Sequence, residues 1–434
     1  MAAQTKSRPV YFVDGSRSPF LKARGKPGPF KAADLGISAA KPLLLRQPFS
    51  PDQFDQVIVG CVNPGADEAN IARVMSLRLG CGDKTTAWTV QRNCASGLQS
   101  IDCAMQAITS GQSDLVLAGG VESMSHAPLL WKEEMVVWLA NWNRARSIGQ
   151  KLKVLTTLRL KNMAPVIALL RGLSDPVVGL SMGQTAEKIA HRFGISRQQM
   201  DEYAVASHLR LAAAQEAGYL DEIEPVFDKN GKAYEHDDGI RPDSSVEKLA
   251  KLKPAFDRKF GNVTAGNSAQ ITDGAAWVIL ASEDAVKKYK LPVIGKAIDL
   301  QWAGVDPSEM GLGPVHAVVP LLQRNKLAVD DIDYWELNEA FAGQVLACVA
   351  AWQDKDYCKE HFNLRSAFGA VPHERLNIDG GGVSLGHPVG ASGTRITLHL
   401  LQTLKRTKSK YGVATLCIGG GQGGAILLEN LESA

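Results

Sequence analysis

The sequence contains no long hydrophobic run, although 45% of its 434 residues are hydrophobic. A helix that crosses a bilayer needs about 18 to 20 consecutive apolar residues, and no stretch approaches that length. The chain also lacks a charged-then-apolar segment at its start, which is the pattern typical of a secretory signal. Its size and composition predict a globular protein of two or three domains with a large buried core.

An excess of charge of one sign is also absent. Lys and Arg total 48 while Asp and Glu total 45, so the net charge is +3. This balance gives no electrostatic reason to expect nucleic acid as a partner. The seven cysteines show none of the paired spacings that bind zinc, so no metal site is predicted. An odd number of scattered thiols is typical of a reducing compartment, and we expect a cytoplasmic location.

The two ends of the chain share a rhythm of strands and helices. Residues 54–77 and 332–352 each read strand, loop, helix, and residues 93–123 and 386–429 each read turn, helix, strand. This alternation predicts an α/β fold with two halves built alike. Between them, from about residue 121 to 252, Pro and Gly breaks and a helix opened by Ser196 predict an insertion that covers the first half.

Cys94 stands between a predicted strand, TAWTV, and a predicted helix in the stretch VQRNCASGLQSIDCAMQAI. Apolar residues recur after it at helical spacing, at Leu98, Ile101, Met105 and Ile108. Unpaired N–H groups at a helix N-terminus favour a thiolate over a thiol. Only a few per cent of an unperturbed thiol is ionised at neutral pH, so a nucleophilic Cys94 also needs a base nearby.

Three loops of the second half carry candidate partners for Cys94. His387 lies before a helix in GGGVSLGHPVGASGTR, Asn338 opens NEAFAG, and Cys417 precedes the glycines of CIGGGQGG. His387 can take the thiol proton and, with Asn338 and a bound water, polarise a thioester oxygen. Cys417 is a candidate second acid/base, and the N–H groups of Gly419 and Cys94 can form an oxyanion hole. Taken singly, each of these residues is also consistent with a purely structural role.

Together, NCASG, VTAGNSAQITDGAA, NEAFA, GGGVSLGHPVGASGTR and CIGGGQGG resemble the thiolase family, from about Val10 to the end of the chain. The resemblance implies a thiolase fold of two similar α/β halves in five layers (αβαβα), assembled as a homodimer or homotetramer. It divides the chain into the first part of the N-terminal half at 1–120, an inserted loop domain at 121–252, the completion of that half at 253–290 and the C-terminal half at 291–434.

The resemblance also implies the activity. It makes the protein a 3-ketoacyl-CoA thiolase of fatty-acid β-oxidation, which cleaves 3-ketoacyl-CoA with CoA into acetyl-CoA and a shortened acyl-CoA. Cys94 would carry the acyl group, His387 would activate it, Cys417 would protonate the departing carbanion, and Asn338 would hold an oxyanion-hole water. No cofactor or metal is implied, because coenzyme A is a substrate.

Further family positions bear on the substrate. The resemblance assigns substrate or CoA contacts to Met182, Ala269 and Phe341. Ala269 departs from the serine that many thiolases use to contact the CoA pantetheine arm. Ser181 stands where thiolases of acetoacetyl-CoA synthesis usually have a histidine, which favours degradation. Asn338 stands where thiolase subunits of trifunctional complexes usually have histidine, although other stretches resemble those subunits.

Three other functions compete with this interpretation. A biosynthetic acetoacetyl-CoA thiolase, condensing two acetyl-CoA, is the alternative within the family. A ketoacyl synthase of the same superfamily would pair its cysteine with two histidines or a His and an Asn, and it would lack Cys417. A lipid-binding or scaffold protein that has lost its site would lack the constellation of Cys94, Asn338, His387 and Cys417.

Residues 127–172 are unusually basic. They contain eight Lys or Arg against two acidic residues, Glu133 and Glu134. Trp131, Trp138 and Trp142 would share one face if the segment is helical. We expect this segment to dock on an anionic membrane surface or on a hydratase/dehydrogenase subunit of β-oxidation. The alternatives are a roof over the acyl site, or tryptophans that simply pack on the body of the protein.

Overall fold

The structure, a computed structural model, describes residues 8–432. Its strands are β1 (Val10–Arg17), β2 (Leu21–Lys22), β3 (Gln56–Gly60), β4 (Thr86–Val90), β5 (Leu115–Ser123), β6 (Leu129–Leu130), β7 (Val166–Ile167), β8 (Val226–Phe227), β9 (Ala233–Tyr234), β10 (Thr272–Ser282), β11 (Gly295–Gly304), β12 (Tyr334–Leu337), β13 (Tyr411–Ile418) and β14 (Gln422–Glu429).

Its α-helices are α1 (Ala32–Leu45), α2 (Ile71–Arg78), α3 (Ser96–Thr109), α4 (Glu133–Arg144), α5 (Ile148–Leu155), α6 (Ala168–Gly172), α7 (Met182–Arg192), α8 (Arg197–Glu216), α9 (Val246–Ala250), α10 (Glu283–Tyr289), α11 (Gly313–Asn325), α12 (Ala342–Gln353), α13 (Lys355–Phe362), α14 (Gly382–Leu385) and α15 (Ser392–Thr407). Within residues 8–432, none of them combines the length and apolar composition that a bilayer-spanning segment requires.

The strands of both halves form one hydrogen-bonded path in the order β12-β13-β14-β11-β1-β10-β5-β3-β4. In the first half β3 lies parallel to both β4 and β5, and in the second half β12 lies parallel to β13. The halves join where β1 pairs with β11 over only three residue pairs, Val10 to Phe12 against Gly295 to Ala297. Because this junction is so short, each half forms a sheet of its own, and both faces of each sheet need to be buried.

Three buried clusters lie between and outside these sheets. One packs α1 and α2 on the first sheet, one packs α11 and α12 on the second, and the third joins α3 and α15 between the two sheets. The order is therefore helix, sheet, helix, sheet, helix. The five-layer α/β fold is confirmed, and the matching placement of β3, α2, α3 and β5 with β12, α12, α15 and β13 confirms that the halves are built alike.

The chain between β5 and β10 leaves the first sheet and returns to it, because these two strands pair antiparallel from Leu115 to Ser123. Helix α8 is its longest element. Ser196 Oγ accepts the backbone N–H of Gln199 at 3.3 Å, while Gln199 Oε1 accepts the N–H of Ser196 at 2.8 Å. This reciprocal cap satisfies donors that the first helical turn leaves free, and it explains why the helix begins where the sequence predicts. The proposed domain boundaries remain a prediction.

A buried ionic network ties this insertion to both halves. Arg17 of β1 donates to both carboxylate oxygens of Asp237, at 2.7 and 2.9 Å, and to Glu222 at 3.2 Å. Glu222 also contacts His399 Nδ1 at 3.0 Å, and His399 Nε2 contacts Asp379 at 3.1 Å. Burial alone would lower the pKa of His399, but the Glu222 and Asp379 carboxylates raise it to about 10. The network is thus charged at neutral pH.

Residues 127–172 form a hairpin of α4 and α5, which we call the 127–172 hairpin. Trp131 precedes α4, so the predicted helical face contains only Trp138 and Trp142. These two rings stack with centroids 5.6 Å apart, and Trp138 Nε1 donates to the carbonyl of Val154 at 2.9 Å. Trp138 and Trp142 therefore pack within the hairpin, whereas Trp131 is 49% exposed. Aliphatic side chains face solvent instead, with exposed fractions of 48–84% at Val136, Val137, Ile148, Leu152, Leu155 and Leu160.

The ionic network predicts an unequal pair of stability effects. Replacing Arg17 with Ala leaves Asp237 buried without its cation and leaves Glu222 with His399 alone, and we expect a loss of about 3–5 kcal/mol in the free energy of unfolding. The control is Arg24→Ala, because Arg24 is exposed and pairs with Asp238 at 3.0 Å. Its loss should be below about 1 kcal/mol. Urea unfolding of the variants measures both, and equal losses would contradict the assigned role of burial.

Candidate active site

Cys94 lies in a tight turn between β4 and α3, as the sequence predicts. Asn93 has a left-handed backbone, with φ of 43°, and Ser96 Oγ accepts the N–H of Arg92 at 2.9 Å. Asn93 Nδ2 donates to the carbonyl of Gly419 at 2.7 Å. The bond to Ser96 thus closes the strained turn, and the bond from Asn93 links the turn to the Gly419 loop. It presents Cys94 two residues ahead of the helix.

Helices α3 and α15 approach each other backbone to backbone. A Cβ atom at Gly97 would lie 2.8 Å from the carbonyl oxygen of Gly390, and one at Gly393 would lie 2.4 Å from the backbone nitrogen of Leu98. Real Cβ atoms do not make such contacts, so only glycine allows this approach. The contact brings the start of α3, which follows Cys94, against the start of α15, which follows His387.

Cys94, His387 and Cys417 line one cavity of about 630 Å³. This volume is within the range of small-molecule binding sites. Met182, Ala269 and Phe341 also line it, as do Ser181, Lys22 and Arg241. A second cavity of about 260 Å³ shares Cys94 and Met182 and is lined by Gly419. Residues of both halves and of the insertion therefore line these cavities, and they include every predicted site residue except Asn338, which is buried and lines neither cavity.

His387 is oriented by a side chain that the sequence analysis did not single out. Its Nδ1 lies 2.6 Å from Ser392 Oγ, and Ser392 Oγ donates to the carbonyl of Pro388 at 3.1 Å. Since the serine proton is used, Nδ1–H donates to Ser392 and Nε2 keeps its lone pair. Asn338 Nδ2 lies 3.5 Å from this Nε2. The free lone pair of His387 Nε2 thus lies beside Asn338.

The three titratable groups are uncharged at rest. Burial raises the pKa of the Cys94 thiol, although backbone hydrogen bonds of Gly419 and Cys94 act in the opposite direction. Burial lowers the pKa of His387 to about 4, with a smaller contribution from the charge of Arg395. Burial, and then the charge on Cys94, raise the pKa of Cys417 well above its usual value. The helix terminus therefore does not make Cys94 a thiolate, because burial outweighs it.

The remaining predicted contacts are placed by two loops that pair with each other. The N–H of Ala269 donates to the carbonyl of Ala340 at 2.9 Å, and the N–H of Ala342 donates to Asn267. Phe341 meets Phe256 edge to face across the cavity, with ring centroids 5.9 Å apart. Gly419 lies against Met182, since a Cβ atom at Gly419 would be 3.1 Å from Met182 Sδ.

Family models match nearly the whole chain. The N-terminal domain of thiolase matches residues 10–284, and the C-terminal domain of thiolase matches residues 291–430. The chain belongs to the thiolase family. It is accordingly an acyltransferase, and the fold and the five motifs noted in the sequence have one explanation.

Individual relatives are similar to this thiolase over nearly full length. The mitochondrial trifunctional enzyme subunit beta of Bos taurus is 35% identical, covering 99% of this chain and 91% of the relative. The mitochondrial 3-ketoacyl-CoA thiolase of Mus musculus is 38% identical, covering 98% of both. The crystal structure of human mitochondrial 3-ketoacyl-CoA thiolase in complex with CoA is 37% identical, with a TM-score of 0.82 over 98% of both chains.

These relatives correct one prediction. All three are mitochondrial proteins, so the expected cytoplasmic location of this thiolase is wrong. Reduced, scattered thiols identify a reducing environment, but they do not distinguish one reducing compartment from another.

Two groups at the site of this thiolase were missed in the sequence. Ser392 lies five residues after His387 in the first turn of α15, where its hydroxyl turns back toward the histidine. Lys22 and Arg241 line the cavity, and among residues 8–432 neither forms a salt bridge. Burial, followed by the charges of Arg241 and Arg24, lowers the pKa of Lys22. The Lys22–Arg241 pair is recognisable only in three dimensions.

Proposed function

We propose that this protein is a 3-ketoacyl-CoA thiolase of fatty-acid β-oxidation, forming acetyl-CoA and a shortened acyl-CoA through an acyl-cysteine. The observation that carries the proposal is that a single cavity is lined by two cysteines and a neutral histidine. One thiol is needed as nucleophile and the other as proton donor to carbon, and both are protonated at rest. The similarity to 3-ketoacyl-CoA thiolases over nearly the full chain supports it.

The reaction begins with proton transfer from the Cys94 thiol to His387 Nε2 as the sulfur attacks the 3-keto carbon. The C2–C3 bond breaks, its electron pair leaves with the acetyl-CoA fragment as an enolate, and Cys417 gives its proton to C2. CoA then transfers its thiol proton to the Cys417 thiolate and attacks the acyl group. The expelled Cys94 sulfur recovers its proton from His387, and all groups return to their resting state.

The surroundings suit the charges that develop on oxygen. Backbone hydrogen bonds of Gly419 and Cys94 favour the ionised Cys94 sulfur, which supports an oxyanion hole made of these two N–H groups for an acyl group attached there. The 3.5 Å distance from Asn338 Nδ2 to His387 Nε2 supports a role for Asn338 in holding a water for the second oxyanion. The cations Lys22 and Arg241 suit the phosphates of CoA.

The alternative function is biosynthetic condensation of two acetyl-CoA. Ser181 weighs against it, because this serine lines the cavity where biosynthetic thiolases usually have histidine. The activity on acetoacetyl-CoA relative to a long-chain 3-ketoacyl-CoA separates the two functions. A strong preference for acetoacetyl-CoA would favour biosynthesis.

We also propose self-assembly into a homodimer or homotetramer. Strand β4 is the last strand of the sheet path, and its Trp88 is 41% exposed. An edge strand with free N–H and C=O groups is a template for pairing with a second chain.

The 127–172 hairpin is proposed as the docking surface for a hydratase/dehydrogenase subunit or for an anionic membrane surface. Its basic residues lie beside exposed aliphatic side chains, a combination that favours either partner. Similarity to trifunctional enzyme subunit beta supports a partner in β-oxidation. Leu169, Leu170 and Gly172 also line the two cavities, so the end of the hairpin borders the active site.

Substitution of Cys94 by Ser should abolish acyl transfer, because His387 cannot ionise a hydroxyl as it does a thiol. Mass spectrometry of the wild type, incubated with 3-ketoacyl-CoA and no added CoA, should find the acyl group on Cys94. An adduct on another cysteine would refute both the role of Cys94 and the proposed mechanism.

Cys417→Ala should separate the two halves of the reaction. Acylation of Cys94 by a reactive thioester should continue, while deuterium exchange at C2 of acetyl-CoA should fall to background, because the proton donor to carbon is lost. The control is Cys348→Ala, a buried cysteine that does not line the cavity. Exchange at the wild-type rate in Cys417→Ala would show that another group moves the proton.

Reversing four charges of the hairpin, at Arg144, Arg146, Lys151 and Lys153, to Glu should weaken docking without changing activity on soluble substrate. Flotation with anionic vesicles and pull-down with a hydratase/dehydrogenase subunit measure the two partners separately. The control reverses four exposed lysines elsewhere, Lys41, Lys229, Lys355 and Lys359, and so changes the net charge equally. If the wild type binds neither partner at low salt, the hairpin is only a lid.

A further inference from the structure

Glu122 is a buried acid in an otherwise uncharged strand. It lies in β5, LVLAGGVES, whose nine residues are all buried, and its own exposed fraction is 0%. Burial raises the pKa of Glu122 to about 7, although hydrogen bonds from three backbone amides oppose the shift. A carboxylate in such a position is costly, so its partners indicate what it does.

The carboxylate of Glu122 accepts hydrogen bonds from two separate loops. Oε2 accepts from the N–H of Val62 at 2.9 Å and from the N–H of Gly390 at 3.1 Å, while Oε1 accepts from the N–H of Asn63 at 2.9 Å. Val62 and Asn63 line the smaller cavity with Cys94. Gly390 lies three residues after His387. One side chain therefore joins the first half to the loop that carries the base.

The His387 loop rests directly on β5 at this point. A Cβ atom at Gly120 would lie 2.0 Å from the carbonyl oxygen of Gly390, and one at Gly390 would lie 2.4 Å from the carbonyl oxygen of Val121 and 2.7 Å from Glu122 Oε2. This close approach is what allows Glu122 to reach the Gly390 amide. Because Gly120 and Gly390 have no side chains, the His387 loop can lie directly against β5. The Glu122 carboxylate then holds the loop at this distance.

We propose that Glu122 is a positioning residue, whose carboxylate fixes the His387 loop against the loop beside Cys94 and so sets the alignment of His387 with Cys94. It touches neither the reacting sulfur nor the imidazole. It acts through three backbone N–H groups, which donate hydrogen bonds to its two carboxylate oxygens. A neutral amide side chain of the same shape has only one oxygen and cannot accept all three bonds in the same places. The inference rests on the proposed thiolase function, because alignment matters only if His387 deprotonates Cys94.

The test is Glu122→Gln, which keeps the shape but turns one oxygen into an NH2 donor that faces an N–H group. Single-turnover acylation of Cys94 by 3-ketoacyl-CoA at neutral pH should slow by about 10- to 100-fold, the usual effect of a misplaced reacting group. Alkylation of Cys94 by iodoacetamide above the pH at which the thiol ionises should stay within about twofold, since that reaction needs no base. A purely structural defect would change both rates together.

The matched control is Asp102→Asn. Asp102 is another mostly buried carboxylate, on α3, and it accepts from Trp302 Nε1 at 2.9 Å, but it lines neither cavity. Its acylation rate should stay within about twofold of the wild type. Glu122→Asp, which retains the charge but is too short to span both loops, is the second variant and should resemble Glu122→Gln.

Three results would overturn the proposal. These are an unchanged acylation rate in Glu122→Gln, a parallel fall of acylation and alkylation, or failure of both Glu122 variants to fold, which would assign the residue to stability. The proposed function fails in a different way, by the absence of an acyl group on Cys94 of the wild type.

Discussion

The direct contact of helices α3 and α15 is the constraint on which the active site depends. Each half of the fold could bury its own sheet and outer helices without the other. At Gly97 and Gly393 the two central helices touch backbone to backbone, and this contact sets the distance between the loops that precede them. Cys94 comes from one loop and His387 from the other, so the two halves of the duplicated architecture contribute to one site at this junction.

The chemistry of the site follows from exclusion of water more than from any helix terminus. Two thiols and an imidazole are all held in their neutral forms by burial. Desolvation of a charged group is costly, whereas the partial charge at a helix terminus contributes about 1 kcal/mol or less in most settings. On the two cysteines and the histidine, charge therefore appears only during the reaction, beside donors that are already in place.

The sequence was sufficient for the parts of this structure that rest on local patterns. The strand before Cys94, the helix after it, the cap at Ser196 and the duplicated order of elements all depend on near neighbours, and the structure has them where predicted. The motifs also identified Cys94, His387 and Cys417 as residues that would meet in one cavity.

Features that depend on distant contacts could not be read in the same way. Ser392 matters because the loop folds back on His387, and Lys22 meets Arg241 only because β2 and the insertion converge at the cavity. The hairpin tryptophans suggested an aromatic surface, yet Trp138 and Trp142 pack against each other, and the exposed Trp131 is accompanied by aliphatic residues without any distinctive pattern. Glu122 gave one local sign, a single acid in an apolar strand, but its partners lie about 60 and 270 positions away.

The neutral resting state of Cys94 has a consequence for damage by peroxide. Oxidation to sulfenic acid proceeds from the thiolate, so a cysteine kept as a thiol is attacked slowly even where it is partly accessible. In the proposed mechanism, Cys94 becomes a thiolate only while His387 takes its proton and the substrate occupies the cavity. The same desolvation that raises the pKa of Cys94 thus slows the oxidation of its thiol while the protein is at rest.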